Sequence, residues 1–282
     1  MASKGFKILN DLRYATTKLV VHTTTGTGNV GTGFFYELEI EEGVSCLLLV
    51  TNKHMVKDWK TISFKINKAD EQREPILGDA VQITLDNTPT QKWIEHPDVD
   101  LCVFAIGHLI KSIYDSGIEL CFRTFFKGHI PNDETIKGIS SIEEILMIGY
   151  PDAMADEKHN LPIVRRGITA TDFKIDYNGN KEFLIDASIF KGSSGSPIVI
   201  CDIGSFINAD GQLCLGDRIF FLGVQYRGEF SKFQDNIYVK NKKGDYENNP
   251  DILSTYFDDL GFCVKSECLL YFKDEIKRQG WK

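Results

Sequence analysis

The sequence consists largely of short apolar segments bounded by turn-forming residues. Leu47–Val50, Leu101–Ile106 and Ile198–Ile200 are each too short for a buried helix, and glycine, asparagine or aspartate lies close to most such segments. Runs of this length with turn signals between them are typical of β-strands. Windows of helical periodicity are few, so the sequence predicts an all-β fold.

Two terminal segments and one internal segment differ from this pattern. Residues 3–15 are predicted to form a short helix or arm with Phe6, Ile8, Leu9 and Leu12 on one face. Ser266 is predicted to cap a C-terminal helix that Gly280 ends, and residues 107–140 are predicted to be a linker. The predicted divisions are an arm at 1–16, two β-rich halves at 17–125 and 126–265, and the helix at 266–282.

Charge and cysteine content limit the classes of function. The 282-residue chain has a formal charge of −8, which argues against nucleic acid as a partner because phosphate binding needs a basic surface. No window approaches the roughly 20 apolar residues of a membrane-spanning helix, and the first residues lack the apolar core of a secretion signal.

The seven cysteines are an odd number, and several lie in apolar segments. We therefore expect reduced thiols and a cytoplasmic protein without a membrane partner. No Cys/His spacing fits a zinc site, so no metal or cofactor is predicted.

The segment Asp186–Pro197, called the serine loop below, holds a serine between two glycines and leads into an apolar strand. Gly192 and Gly195 permit backbone angles that other residues resist, and they leave the Ser194 hydroxyl uncovered. Such a turn can direct the amides of Gly192, Ser193 and Ser194 toward one point, as an oxyanion hole requires. Ordinary Gly-Ser turns share this pattern, so its interpretation depends on a base and an acid elsewhere.

A histidine and an aspartate occur at suitable places earlier in the chain. His54 follows an apolar strand, and Asp100 immediately precedes another. A serine hydroxyl needs an aligned imidazole to lose its proton near neutral pH, and a carboxylate can fix the tautomer of that imidazole. Asp98 is the alternative acid, but Asp100 is preferred because it adjoins the buried strand. His96 is predicted to be a surface loop residue.

The order His54, Asp100, Ser194 resembles that of chymotrypsin-type serine peptidases. Other motifs resemble, in order and spacing, those of HtrA/DegP-type protease domains and related cytosolic trypsin-like peptidases. These motifs are Gly31–Phe35, Val50–His54, Asp98–Val103, Ile148–Pro151, the serine loop, Leu222–Val224 and Leu260–Val264. The resemblance extends over residues 17–275 and implies two antiparallel six-stranded β-barrels, without the PDZ domain that HtrA proteins carry.

This resemblance implies a serine endopeptidase that acts on a protein or peptide through an acyl-enzyme. Ser194 is then the nucleophile, His54 the general base and Asp100 the residue that orients His54. The residue six before the nucleophile lies at the base of the specificity pocket in such enzymes. Here it is Ser188, which favours an uncharged substrate side chain over Arg or Lys. Asp186 is close enough to leave a basic side chain open, although the HtrA loop that it resembles carries an aspartate there without basic specificity. The predicted substrate-binding residues are Ser188, Ile189, Val224, Gln225, Tyr226, Arg227 and Gly228, of which the last five pair with an extended peptide.

Two alternatives to a constitutive enzyme stay open. The first is a latent protein that a partner or ligand opens through the loops at 150–162, 186–193 and 227–250. The second is a non-catalytic peptide-binding module on the same fold. A protease without a compartment must be restrained, so a protein activator or inhibitor is a further expected partner.

Overall fold

The computed structural model describes residues 9–26, 28–89, 92–234, 237–240, 246–249 and 253–279. Residues 9–12 of the predicted N-terminal arm are helical, whereas Phe6 and Ile8 lie outside the described residues. No helix within these ranges is long and apolar enough to cross a membrane.

The first half of the chain forms a nine-stranded sheet that is almost entirely antiparallel. Its strands are β1 (Thr16–Thr23), β2 (Gly28–Glu41), β3 (Val44–Thr51), β4 (Trp59–Ala69), β5 (Pro75–Asp86), β6 (Ile94–Glu95), β7 (Cys102–Ala105), β8 (Leu120–Cys121) and β9 (Phe125–Phe126). The order is β5-β4-β1-β2-β3-β7-β6, with β8 beside β4 and β9 beside β2.

The second half contains a closed six-stranded barrel with the order β10-β11-β12-β19-β16-β13. Its strands and two small hairpins are β10 (Glu144–Gly149), β11 (Ile163–Thr169), β12 (Glu182–Asp186), β13 (Pro197–Asp202), β14 (Ser205–Ile207), β15 (Leu213–Leu215), β16 (Arg218–Gln234), β17 (Ile237–Lys240), β18 (Tyr246–Asn249) and β19 (Leu253–Lys265). β14 pairs with β15, and β17 pairs with β18.

The all-β prediction is confirmed, and the second half is the predicted six-stranded barrel. The first half differs in detail because its described end strands, β5 and β6, do not pair with each other. β6 has only two residues and precedes Pro97, whose missing N–H cannot extend a ladder. The predicted boundaries of the two halves, 17–125 and 126–265, remain a prediction.

Besides the helical residues 9–12, the structure has the α-helices α1 (Gly107–Asp115) and α2 (Tyr271–Arg278). 3₁₀ turns occupy Lys53–Val56, Lys127–His129, Thr135–Gly138, Pro151–Ala153, Tyr177–Gly179 and Ser266–Leu270. The C-terminal helix is therefore confirmed, but Ser266 is buried inside its 3₁₀ turn and makes no capping hydrogen bond. The predicted cap is wrong, and Gly280 lies outside the described residues.

One apolar cluster joins the two halves. The Phe221 ring of β16 lies 5.4 Å from the ring centroid of Phe34 in β2 and 4.9 Å from that of Phe125 in β9. Phe272 and Ile276 of α2 belong to the same cluster and are fully buried. Aromatic rings at these separations contribute packing energy beyond the area that they bury. The halves therefore share a core, and residues from both meet along its edge.

Candidate active site

His54 and Asp100 are joined by two hydrogen bonds. His54 lies in the 3₁₀ turn after β3, and its Nδ1 is 2.5 Å from Asp100 Oδ2. The His54 backbone N–H donates to Asp100 Oδ1 at 3.1 Å, and Asn52 Nδ2 donates to the Asp100 carbonyl at 2.7 Å. The carboxylate thus fixes both the ring and the backbone of His54. The structure places Asp100 against this ring, and the Asp98 amide lies in a neighbouring turn.

The surroundings keep Asp100 ionised at neutral pH. Burial raises the pKa of its carboxyl group, but the hydrogen bonds and charge of His54 outweigh burial and hold the pKa below its ordinary value. An ionised carboxylate can accept the Nδ1–H of a neutral imidazole, which leaves Nε2 as the proton acceptor.

His96 is buried rather than exposed, so its predicted surface position is wrong. Only 9% of the residue is accessible, and its ring centroid lies 4.6 Å from that of Tyr271 in α2. His96 Nδ1 accepts the amides of Asp98 at 3.2 Å and Val99 at 3.3 Å. This imidazole shapes the turn that leads into Asp100, and the C-terminal helix covers it.

The serine loop packs tightly against the first half of the chain. The carbonyl of Ser194 accepts the amide of Thr32 at 2.9 Å. Gly192 and Gly195 have φ angles of +82° and +88°, and a Cβ atom at Gly195 would lie 1.9 Å from the Thr32 carbonyl oxygen. Only glycine fits such a close approach at these angles, as the sequence predicts for both positions.

Two of the three predicted oxyanion-hole amides have no acceptor among the described residues. The Ser193 amide donates to the Phe190 carbonyl at 3.1 Å inside the loop, so it is already occupied. The amides of Gly192 and Ser194 have no such partner in the described part of the chain. The hydroxyl of Ser194 donates to the Tyr226 carbonyl at 3.3 Å and not to His54.

Thr32, which sequence reasoning did not single out, connects the two halves at this site. Its Oγ1 accepts the Tyr150 amide at 3.1 Å and donates to the Gly192 carbonyl at 3.1 Å. Ser196 Oγ donates to Thr32 Oγ1 at 3.3 Å. The Gly31–Phe35 motif contains this threonine, but nothing in the sequence shows which groups its hydroxyl would meet.

The predicted substrate-binding residues differ in accessibility. Ser188 is exposed, and it borders a groove of about 440 Å³ that Asp186, Glu144 and Asp259 also line. In contrast, Ile189, Val224 and Gln225 are buried, so their side chains do not face a substrate in this structure. Tyr226 is partly exposed, Arg227 is exposed and Gly228 is buried.

The β16 edge near Ser194 is open. Gln225 exchanges two backbone hydrogen bonds with the serine loop, through the Gly195 amide at 2.8 Å and the Ser196 carbonyl at 3.0 Å. β13 pairs with β16 only as far as Val224, whereas residues 227 and 228 pair with β19 on the other side. The described backbone of Tyr226–Gly228 therefore has one edge without a neighbouring strand, beside the Ser194 hydroxyl.

Comparisons with known proteins bear on the fold. No protein-family model matches the chain, and no curated protein sequence matches it either. A serine-to-alanine variant of the HtrA-type protease AlgW, solved with a tripeptide, is 16% identical with a TM-score of 0.50, and the match covers 96% of this chain and 63% of that one. The structure of AlgW itself with a tripeptide is 15% identical with a TM-score of 0.50, and the match covers 98% of this chain and 64% of that one.

A serine endoprotease from Yersinia pestis is 15% identical with a TM-score of 0.47 over 99% of this chain and 69% of that one. The chain has the fold of a trypsin-like, HtrA-type serine protease domain. It spans less than two thirds of the length of the two AlgW structures.

Proposed function

We propose that this chain is a serine endopeptidase that uses Ser194, His54 and Asp100. The observation that carries the proposal is the His54–Asp100 pair, with Nδ1 and Oδ2 at 2.5 Å. Met55, the residue after His54, and the Ser194 carbonyl both lie within 3.3 Å of the Cβ position of Gly31. A serine, a histidine and an oriented carboxylate are the groups that acyl transfer requires. The similarity of the fold to that of AlgW supports the same assignment.

The reaction follows from these groups. The Ser194 hydroxyl turns from the Tyr226 carbonyl to His54 Nε2, gives up its proton there and attacks the substrate carbonyl carbon. Hydrogen bonds of this kind are often unformed before substrate binds. The amides of Gly192 and Ser194 stabilise the oxyanion, and His54 then protonates the leaving amine. Water, deprotonated by His54, releases the acyl group and restores Ser194.

The substrate we propose is an extended peptide that lies along Tyr226–Gly228. A peptide there would add a strand to the open edge of β16, which is how many proteins hold an extended chain. Both AlgW structures carry a tripeptide, in keeping with peptide as the ligand class. Ser188 itself carries no charge, which supports an uncharged substrate side chain, although three carboxylates line the same groove.

We further propose a cytoplasmic protein with reduced thiols. All seven cysteines are free, and each lies within the described residues. Burial raises the pKa of the Cys102 and Cys263 thiols, which keeps them protonated and unreactive.

A latent, partner-activated protein is the second candidate. The hydrogen bond from the Ser194 hydroxyl to Tyr226, in place of one to His54, favours it. A protein activator that shifts the serine loop would complete the site in that case.

A fluorophosphonate probe, which reacts with an activated serine, distinguishes these functions. We expect the wild type to be labelled, and Ser194→Ala and His54→Ala to lose labelling by several orders of magnitude, about 10⁶-fold in a fully coupled triad. The exposed Ser205 and His22 supply the control variants Ser205→Ala and His22→Ala, which should label normally. A folded wild type that is not labelled would contradict the constitutive enzyme and favour the latent protein.

A further inference from the structure

Arg165 donates hydrogen bonds to two residues of the serine loop. It lies in β11, where it pairs with Met147 of β10. Its Nη1 donates to the Ser188 carbonyl at 2.7 Å and to Ser193 Oγ at 2.9 Å. Ser193 Oγ also accepts the Phe190 amide at 3.2 Å. One guanidinium nitrogen therefore connects the residue at the predicted pocket base with the residue directly before Ser194.

The remaining guanidinium nitrogens of Arg165 are enclosed. Nε and Nη2 are buried and have no hydrogen-bond acceptor among the residues that the structure describes. Burial lowers the pKa of Arg165 to about 10, while the negative charge of Asp152 acts in the opposite direction, so the group is a cation at neutral pH. Burying a cation that lacks a bonded carboxylate opposes folding. An arginine at this position is therefore poorly explained by stability alone.

A strained turn makes a further contact with the same loop. Asp152, with a φ of +46°, donates its amide to the Lys191 carbonyl at 2.5 Å. The next residue, Ala153, also has a positive φ, of +60°, which a residue with a Cβ atom rarely adopts. Arg165 and this turn together contact Ser188, Lys191 and Ser193, and Gly192 lies between Lys191 and Ser193 in the chain.

We propose that Arg165 is a positioning residue that holds residues 188–193 in the arrangement that leaves the Gly192 and Ser194 amides free for an oxyanion. The inference rests on the proposed function and identifies the residue that keeps its oxyanion-hole segment in place. A charged donor strengthens both hydrogen bonds, and a single nitrogen fixes the distance between the two ends of the segment. Because Nε and Nη2 are enclosed, a substrate side chain does not reach them, so Arg165 acts through the loop and not through substrate charge.

The test compares Arg165→Met with Arg278→Met, an arginine of α2. The Arg278 side chain is 77% exposed and pairs with Glu275 of the same helix, so it is a matched control outside the serine loop and its groove. We expect Arg165→Met to reduce the rate of fluorophosphonate labelling about 10²-fold, comparable to the loss of an oxyanion donor, with kcat for peptide hydrolysis falling and KM little changed. The control variant should behave as the wild type, and both variants should unfold cooperatively.

Chemical rescue separates positioning from general stability. Guanidinium ions should restore the labelling rate of Arg165→Ala, whereas urea at the same concentration should not, because it lacks the charge. Arg165→Lys, which keeps the charge but not the planar donor group, should give an intermediate rate and provides a second variant if the methionine variant fails to fold.

Hydrogen exchange of the 188–196 backbone tests the inference without any need for activity. Exchange of this segment should accelerate at least about tenfold in Arg165→Met, as expected when a local opening becomes easier, and stay unchanged in Arg278→Met. If the wild type is not labelled, the proposed enzyme fails, and the exchange measurement alone decides the role of Arg165. Wild-type exchange and labelling in a folded Arg165→Met would overturn the proposal.

Discussion

At the scale of single residues, the hydroxyl of Thr32 offers a sharp test of how the site is assembled. Thr32→Val keeps the shape of the side chain but leaves the Tyr150 amide without its acceptor and the Gly192 carbonyl without its donor. An unsatisfied buried group costs about 1–3 kcal/mol. We therefore expect the free energy of unfolding to fall by about that amount and Ser194 labelling to slow, as measured by urea denaturation and probe kinetics.

The matched control is Thr32→Ser, which retains the hydroxyl and should keep most of both the stability and the labelling rate. If valine and serine behave alike at this position, the hydroxyl does not organise the serine loop, and the contacts of Thr32 are incidental.

Residue chemistry also explains which parts of the site could be predicted from the sequence. Ser194 and His54 stand out because few residue types can act as a nucleophile and its base, and the two glycines stand out because few other residues tolerate their angles. Thr32 and Arg165 have many roles in proteins, so only their contacts reveal what they do. Ile189 was among the predicted substrate-binding residues, but an apolar side chain can as readily turn into the core, where it lies.

At the scale of elements, the turn that carries Asp100 depends on a neutral His96. Burial lowers the pKa of His96, Lys53 lowers it further and Asp98 opposes both. A group whose pKa is lower in the folded state stabilises the protein fully above its unfolded pKa of about 6.5. That stability is lost as the pH falls through the folded value, because the unfolded state takes up the proton first.

We therefore expect the wild type to lose stability between about pH 7 and pH 5 through this turn. An asparagine in place of His96 can accept the hydrogen bonds of the same two backbone amides through its side-chain oxygen, but it cannot be protonated. His96→Asn should show a smaller decrease in unfolding free energy over this range, measured by denaturation at several pH values. His22→Asn, at an exposed position of β1, is the control. If the unfolding free energy of His96→Asn depends on pH as strongly as that of the wild type, protonation of His96 does not cause the loss of stability.

Tertiary contacts also explain why one helix was not predicted from the sequence and another was. α1 lies inside the predicted linker. The sequence did not predict it because three apolar residues, Leu109, Ile110 and Ile113, are too few to indicate a helix in a loop-rich window. They pack against the core cluster of the first half, so tertiary contact and not periodicity defines this helix. The C-terminal helix was predictable because its buried residues, Phe272 and Ile276, are four apart and face one core.

At the scale of the whole molecule, the halves should unfold together because they share the Phe34–Phe125–Phe221 cluster. Cys102 and Cys263 provide matched probes, since both are fully buried, one in the core cluster of the first half and the other in that of the second. Pulsed thiol labelling with rising denaturant should show both cysteines reacting over the same transition in the wild type. Coincidence of separate probes is the mark of a cooperative unit.

Phe221→Ala should break this coincidence. Loss of a buried phenylalanine ring destabilises a protein by about 3–5 kcal/mol, and here the loss falls on the contact between the halves. We expect Cys102 and Cys263 to react at different denaturant concentrations in this variant. Phe173→Ala removes a ring that belongs to the core cluster of the second half alone, so it should lower the shared midpoint without separating the two probes. Separate transitions in the wild type would show that the halves are independent, and that local contacts such as those of Thr32 hold the serine loop against the first half.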